Sequence, residues 1–200
     1  MSADILVVGI GGQGVMTAAE TIARAALEAG YEATKTEVTG MSQRGGVVCS
    51  QVRIGKRIEA AEVRPGSVAL LIAFEAAEGL RWGHFLAPHG RVLLDSWRAV
   101  PPIVSSGVHE YPDDPAAALR AAGREVLEID ARNTAERLGD ARLANSVMLG
   151  AAAASLPFPY SALRDEVQRR FRGGELAARN AAAFDAGRAL EQGHVAVATA

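Results

Sequence analysis

Gly9-Ile-Gly11-Gly12-Gln13-Gly14 stands where an apolar run gives way to a helical pattern, and its spacing fits Gly-x-Gly-x-x-Gly. Such a turn does its chemistry through the main chain. Gly9 allows the tight turn, Gly11 lets a ligand approach the backbone, and Gly14 lets the helix sit against the strand. The free N–H groups and partial positive charge at the helix start favour an anion. A nicotinamide or flavin dinucleotide is one reading, with Glu37, about 20 residues on, as the ribose-binding carboxylate. A tight strand–helix turn with no ligand is another. Gly12 and Gln13 are not required by a dinucleotide site, and Glu37 leads into a loop that such a fold does not need.

That loop, Glu37-Val-Thr-Gly40-Met41-Ser42-Gln43-Arg44-Gly45-Gly46, places one arginine among amide and hydroxyl donors and paired glycines. A donor-rich tip of this kind suits a phosphate, a carboxylate or another protein's backbone. An ordinary polar surface loop is equally compatible with the spacing. Glu37 reads either as an orienting partner for Arg44 or a cofactor, or as a strand-end surface carboxylate. Asp95 ends a strand at the carboxyl edge, where ligands bind in open α/β sheets, and also reads as a turn cap. Asn145 reads as a helix-start amide.

The remaining reactive side chains offer little. Cys49 is the single cysteine and falls within a strand, so it reads as a small buried hydrophobe. One cysteine builds no internal disulfide, iron–sulfur cluster or thiolate zinc site. His84, His89, His109 and His194 are scattered, without ligand spacing. No histidine or lysine sits in a motif that suggests an acid–base pair, which weighs against a stand-alone dehydrogenase. No catalytic residue is therefore assigned to this chain from its residues alone.

The elements that must position these groups read as α/β. Asp4 to Gly9 is a continuous apolar run, as in a strand buried on both faces. A helix is expected from Val15 to Ala29, ended by Gly30. Strands are expected at Glu32–Glu37, Val47–Ile54, Val68–Phe74, Arg91–Asp95 and Glu125–Asp130, with a turn at His89-Gly90. A short extended piece is expected at Val108–Tyr111. Helices are expected at Glu75–Gly83, Ala116–Ala122, Ala131–Leu138, Asn145–Ser155, Tyr160–Phe171 and Glu175–Leu190. His194 to Ala200 reads as a frayed tail, or as a segment that orders against a partner. The alternation predicts a Rossmann-like, mostly parallel sheet with helices on both faces and a helical C-terminal third. One domain of 1–200 is expected, with an α/β core over 1–130 and a helical part over 131–192.

Composition narrows the partners. The 200 residues are 49% hydrophobic and only 5% aromatic, with a net charge of −2. Alanine fills much of the apolar share, so close helix-on-sheet packing is expected rather than a roomy cavity. Arginines are scattered and lysines are limited to Lys35 and Lys56, with no basic stripe for nucleic acid. The longest apolar stretch, Val147 to Leu156, is too short to cross a membrane. The chain enters its first strand without a leader pattern, and a cytoplasmic location is expected.

Taken together, the 9–14 turn, the 37–46 loop and Val52-Arg53-Ile54-Gly55 resemble the gamma subunit or gamma domain of the thiamine-diphosphate-dependent 2-oxoacid:ferredoxin oxidoreductases. Asn145-Ser-Val-Met-Leu-Gly-Ala151 and Asn180-Ala-Ala-Ala-Phe184 extend the resemblance over most of the chain. The freestanding length, and Pro101-Pro102-Ile103-Val104 followed by Tyr111-Pro112, are most similar to the small beta subunit of indolepyruvate:ferredoxin oxidoreductase.

The resemblance implies a subunit that is not active alone. Such enzymes decarboxylate a 2-oxo acid on thiamine diphosphate, pass electrons through iron–sulfur clusters to ferredoxin, and capture the acyl group on coenzyme A. Thiamine diphosphate, magnesium and the clusters would belong to a large partner subunit, which also meets ferredoxin. Nothing would be bound covalently by this chain. The Met41–Gly46 loop would lie at the interface near the partner's thiamine site. The turn at Gly9, Gly11, Gly12, Gln13 and Gly14 would lie near it or help hold coenzyme A. Arg44 would pair with a substrate carboxylate or a coenzyme A phosphate, and Glu37 would support the partner's site. Asn145 would lie close to the glycine turn. A face built to meet a partner exposes apolar surface, so the isolated chain is expected to be able to form a homodimer.

Overall fold

The computed structural model describes residues 2–39, 46–99, 110–171 and 173–198, excepting the side chains of 39 and 195–198. Met41 to Gly45 and Pro101 to His109 lie outside the described residues. A six-stranded sheet runs in the order β2-β3-β1-β4-β5-β6. Its strands are β1 (Ala3–Ile10), β2 (Glu32–Thr39), β3 (Val47–Gly55), β4 (Val68–Ala73), β5 (Leu86–Asp95) and β6 (Glu125–Ile129). The pairs β1–β4, β4–β5 and β5–β6 are parallel. β3 runs antiparallel to both of its neighbours, β1 and β2. The sheet is thus mostly parallel, with one reversed strand.

Burial explains the position of that strand. β3 supplies Cys49, Val52 and Ile54, all at most 1% exposed. β2 reads Glu-Ala-Thr-Lys-Thr-Glu-Val-Thr, whose charges suit an edge. The more apolar arm of the β2–β3 hairpin therefore takes the inner place beside β1. In β1 itself Ile5, Leu6, Val7 and Val8 are all at most 1% exposed, as a strand covered on both faces requires.

The helices are α1 (Val15–Glu28), α2 (Ala76–Trp82), α3 (Pro115–Ala121), α4 (Ala131–Arg137), α5 (Ala144–Ala152), α6 (Tyr160–Arg170) and α7 (Gly174–Ala198). Residues of α1, α4, α5, α6 and α7 share one core with Ile5, Val7, Val52 and Ile72. Residues of α2 and α3 share the other with Leu6, Val8, Leu71 and Leu94. The C-terminal helices therefore pack on the same layer as α1.

Small residues let α5 and α7 cross closely. A Cβ on Gly150 would stand 1.9 Å from the Phe184 carbonyl oxygen, and one on Gly187 would stand 1.8 Å from that of Val147. Each glycine accepts the other helix's backbone, so the tight packing expected of an alanine-rich chain reaches its limit here.

Two boundaries differ most from the sequence reading. β5 begins at Leu86, and His89-Gly90 lies inside it rather than in a turn. Gly90 is held there because a Cβ would strike the Val68 carbonyl oxygen at 2.5 Å. α7 continues to Ala198, beyond the frayed tail expected from His194. Gly193 alone does not stop it, since a glycine inside a helix costs only about 1 kcal/mol. Glu110 and Tyr111 are not in a strand. Among the described residues no helix is long and apolar enough to cross a membrane.

Candidate functional site

The glycine turn closes the carboxyl edge of β1, beside β4 on one side and β3 on the other. Gly12 and Gly14 have φ of 101° and 79°, a backbone conformation that L side chains rarely adopt. Gly14 is the N-cap of α1 and offers no side-chain cap. The Gly11 N–H donates to the Gly46 carbonyl at 2.9 Å, so the turn is tied directly to the base of the 37–46 loop. The two motifs meet in one place.

Gln13 points inward. Its Oε1 accepts from the Ile10 N–H at 2.7 Å, and its Nε2 donates to the Phe74 carbonyl at 2.7 Å. An N–H on one side and a carbonyl on the other fix which end of the amide is which. Gln13 thus fastens the turn to the end of β4. Gly9 makes room for it: a Cβ there would lie 2.5 Å from Gln13 Oε1 and 3.1 Å from Phe74 Cβ.

From the other side, Asn145 in the first turn of α5 donates through Nδ2 to the Gly14 carbonyl at 2.9 Å and the Gln13 carbonyl at 3.4 Å. The adjacent Ser146 donates to Asn180 Oδ1, and Asn180 Nδ2 donates to the Leu176 carbonyl. One polar chain therefore runs from the glycine turn through α5 to the start of α7.

Glu37 lies on β2, which β3 separates from β1. In register it stands opposite Ser50, which pairs with Val7. Two strand spacings put its backbone about 10 Å from β1. Its carboxylate pairs with Lys35 at 2.7 Å, and Lys35 also meets Glu20 of α1 at 3.0 Å. The dinucleotide reading needs a carboxylate on the strand next to β1, and the inserted β3 removes it.

Further along the edge, Glu75 caps α2 by accepting from the Glu78 N–H, and also accepts from the Ala99 N–H and the Tyr111 hydroxyl. It is 2% exposed. One carboxyl thus holds both flanks of the 100–109 connection. Burial pushes Glu78 above its usual range. Burial also pushes the Cys49 thiol up to about 12, which leaves it a thiol at neutral pH and no nucleophile.

Asp95, 3% exposed, accepts from the N–H groups of Trp97 and Ala131, and so caps both its own turn and α4. Burial raises it to about 6. The native state then holds its proton more tightly than the unfolded chain does. Stability from this group is full below pH about 4 and is lost as pH rises through about 6, by about 3 kcal/mol in all. Urea unfolding at pH 4 and pH 7 should show that difference shrink by most of this amount in Asp95→Asn. An unchanged difference would mean that Asp95 does not carry it.

Among the described residues no group of three or more His, Cys, Asp or Glu side chains is placed to hold a metal ion. Among the described residues no backbone acceptor is found for the Gly12, Gly14 and Val15 N–H groups.

A family model described as "Pyruvate ferredoxin/flavodoxin oxidoreductase" matches residues 4–190. The chain belongs to the pyruvate ferredoxin/flavodoxin oxidoreductase family. Within this family it is 39% identical over 152 residues to the indolepyruvate oxidoreductase subunit IorB of Archaeoglobus fulgidus, covering 75% of each chain. The gamma subunit of a keto/oxoacid ferredoxin oxidoreductase from Geobacter sulfurreducens superposes with a TM-score of 0.69 at 25% identity, over 96% of this chain and 99% of that one. The 2-oxoglutarate:ferredoxin oxidoreductase of Magnetococcus marinus, solved with 2-oxoglutarate, coenzyme A and succinyl-CoA bound, matches with a TM-score of 0.76 at 23% identity. There the match covers 96% of this chain but 31% of the other, so this chain spans about a third of that polypeptide. The family resemblance drawn from the two glycine motifs holds, and the chain is a subunit of a 2-oxoacid:ferredoxin oxidoreductase.

Of the residues singled out in the sequence, Gly9, Gly11, Gly12, Gln13, Gly14 and Gly46 come together at one edge. Glu37 stands apart from them, and Met41, Ser42, Gln43, Arg44 and Gly45 lie outside the described residues. Glu75 was not singled out in the sequence and Tyr111 only in the pair Tyr111-Pro112; the contact between them went unnoticed because it is made across 36 positions.

Proposed function

We propose that this chain closes over the thiamine site of a larger subunit in an arylpyruvate-type, indolepyruvate-acting enzyme of the cytoplasm. Coenzyme A would place a phosphate on the glycine turn. The observation that carries this reading is the turn itself. The Gln13 and Gly14 carbonyls are taken by Asn145, α1 has no side-chain cap, and no backbone acceptor is found for the Gly12, Gly14 and Val15 N–H groups among the described residues. Phosphate oxygens are suited to such a set. Met16 in the first turn of α1 and Val38 on β2 are exposed large hydrophobics, at 44% and 52%, which supports a partner face on this side of the chain.

Thiamine diphosphate, magnesium and the clusters belong to the partner in this reading, and the partner meets ferredoxin. Bound thiamine diphosphate would supply the electron sink for loss of CO2. This chain's part is to hold coenzyme A through Gly12, Gly14 and Val15, to keep water out, and to present the 40–46 loop to the partner. Arg44 and Glu37 are proposed to support the partner's site, Arg44 by pairing with the substrate carboxylate or a phosphate.

The test is anaerobic recovery of the tagged chain from its native host, followed by indolepyruvate-dependent viologen reduction. A large iron–sulfur, thiamine-containing partner should co-purify, and activity should need both chains. In that assembly Gly12→Val, which meets no neighbour within 4 Å but cannot keep the turn's φ of 101° without strain, should raise KM for coenzyme A roughly tenfold or more. Recovery of the chain alone with tightly bound NAD or FAD would overturn the reading.

A further inference from the structure

We infer that Asn145 is the positioning residue that sets the polarity of the glycine turn. A trans peptide unit points its C=O and N–H in opposite directions. The unit between Gln13 and Gly14 therefore aims the Gly14 N–H away from wherever the Gln13 carbonyl goes. The unit between Gly14 and Val15 ties the Val15 N–H to the Gly14 carbonyl in the same way. Asn145 Nδ2 binds both carbonyls, at 3.4 and 2.9 Å. It thereby turns the Gly14 N–H outward and, together with the α1 hydrogen bond to the same Gly14 carbonyl, holds the Val15 N–H outward. The Gly14 carbonyl also takes the Ala18 N–H at 2.9 Å, so both of its lone pairs are occupied. Carbonyl oxygens that would repel an anion at the helix start are thus drawn away from the mouth of the site.

Two observations show that this contact is built in. A Cβ on Gly14 would approach Asn145 Nδ2 to 2.7 Å, so glycine at 14 and asparagine at 145 depend on each other. Asn145 is itself held by its helix, since Ser146 locks α5 to Asn180 of α7 at 2.7 Å. The turn's orientation is therefore set by the C-terminal helices, more than a hundred residues away in the chain.

The kinetic part of the test rests on the reading of the turn as a coenzyme A site, and the spectroscopic part does not. Asn145→Asp is nearly isosteric but replaces the donating NH2 by a carboxylate oxygen, and Asn145→Ala removes the group. In the full chain, both should move or broaden the Gly14 and Val15 amide resonances in a 1H–15N spectrum. In the assembled two-subunit enzyme, Asn145→Asp should raise KM for coenzyme A roughly tenfold or more, with kcat and KM for the 2-oxo acid changed less than about threefold. Unmoved amide resonances in both variants would overturn the inference. So would a lower melting temperature and lower yield of assembled enzyme with KM for coenzyme A unchanged and the amides unmoved, the signature of a merely structural role. Moved amides with an unchanged KM, together with an unchanged KM in Gly12→Val, would uphold the positioning role and defeat the coenzyme A reading. A raised KM in Gly12→Val with wild-type amides and KM in both Asn145 variants would do the reverse.

Discussion

Gly187→Ala should unfold this protein or cost at least about 3 kcal/mol, and Gly150→Ala should do the same, because each adds a methyl where there is only backbone to meet it. The two carbons would lie 1.8 and 1.9 Å from carbonyl oxygens of the facing helix. Neither oxygen can move without its helix. Parting α5 from α7 loosens Val147, Met148, Ala183 and Phe184, all 0% exposed. Set against a typical total of about 5–15 kcal/mol, a loss of this size is a large share. Gly193 is the internal control: it lies on α7 with nothing within 4 Å of an added Cβ. There the same substitution should stabilise by up to about 1 kcal/mol, since alanine favours the helix. Urea unfolding of the three variants reads all of this. Three similar midpoints would show that the helix crossing is not the close contact described.

Glu75→Gln should be the most damaging isosteric change at the site edge, at about 2–3 kcal/mol. The partners of Glu75 are all donors: the N–H groups of Glu78 and Ala99, and the Tyr111 hydroxyl. A carboxyl can face them with both oxygens. Glutamine must turn its NH2 toward one set, which leaves buried donors unpaired. Tyr111→Phe takes one donor from Glu75 and the hydroxyl that accepts from the Ala77 N–H at 3.3 Å, but it leaves both Glu75 oxygens accepting, so it should cost less, about 1–2 kcal/mol. The effect should also reach the glycine turn, because the preceding Phe74 carbonyl receives Gln13 Nε2. Thermal unfolding gives the order of the two variants. If Glu75→Gln proves as stable as wild type, the carboxyl does not organise this edge.

Much of the fold was legible in the sequence, and for local reasons. Continuous apolar runs mark strands covered on both faces, and Gly30 marks a helix end. Those patterns give a mostly parallel sheet with two helical layers. Strand neighbours are another matter. A run such as Val47 to Ile54 looks the same whether it lies beside β1 or outside β2, and in either direction. The choice rests on which arm of a hairpin buries more, a comparison made only when the chain is packed. The consequence falls on Glu37, whose spacing from the glycines suggested a ribose site that β3 then displaced.

The sequence by itself determined that this chain is an α/β subunit of its family, and where its glycine turn lies. Glycine at 9, 11, 12 and 14 announces a backbone conformation, and a backbone conformation is a local property. Only the tertiary structure decided what orients that turn. Gln13 was expected only as part of the ligand turn, and the packed chain shows its amide fastening that turn to Phe74. Asn145 read as a helix-start amide, which it is, and the resemblance put it close to the turn; the packed chain adds that it holds two carbonyls of that turn, 131 and 132 positions away. Side-chain amides donate and accept equally well to solvent, ligand or backbone, and their type alone does not say which. Close packing of α5 on α7 settles the matter, because it carries Asn145 to the one place where those carbonyls can be met.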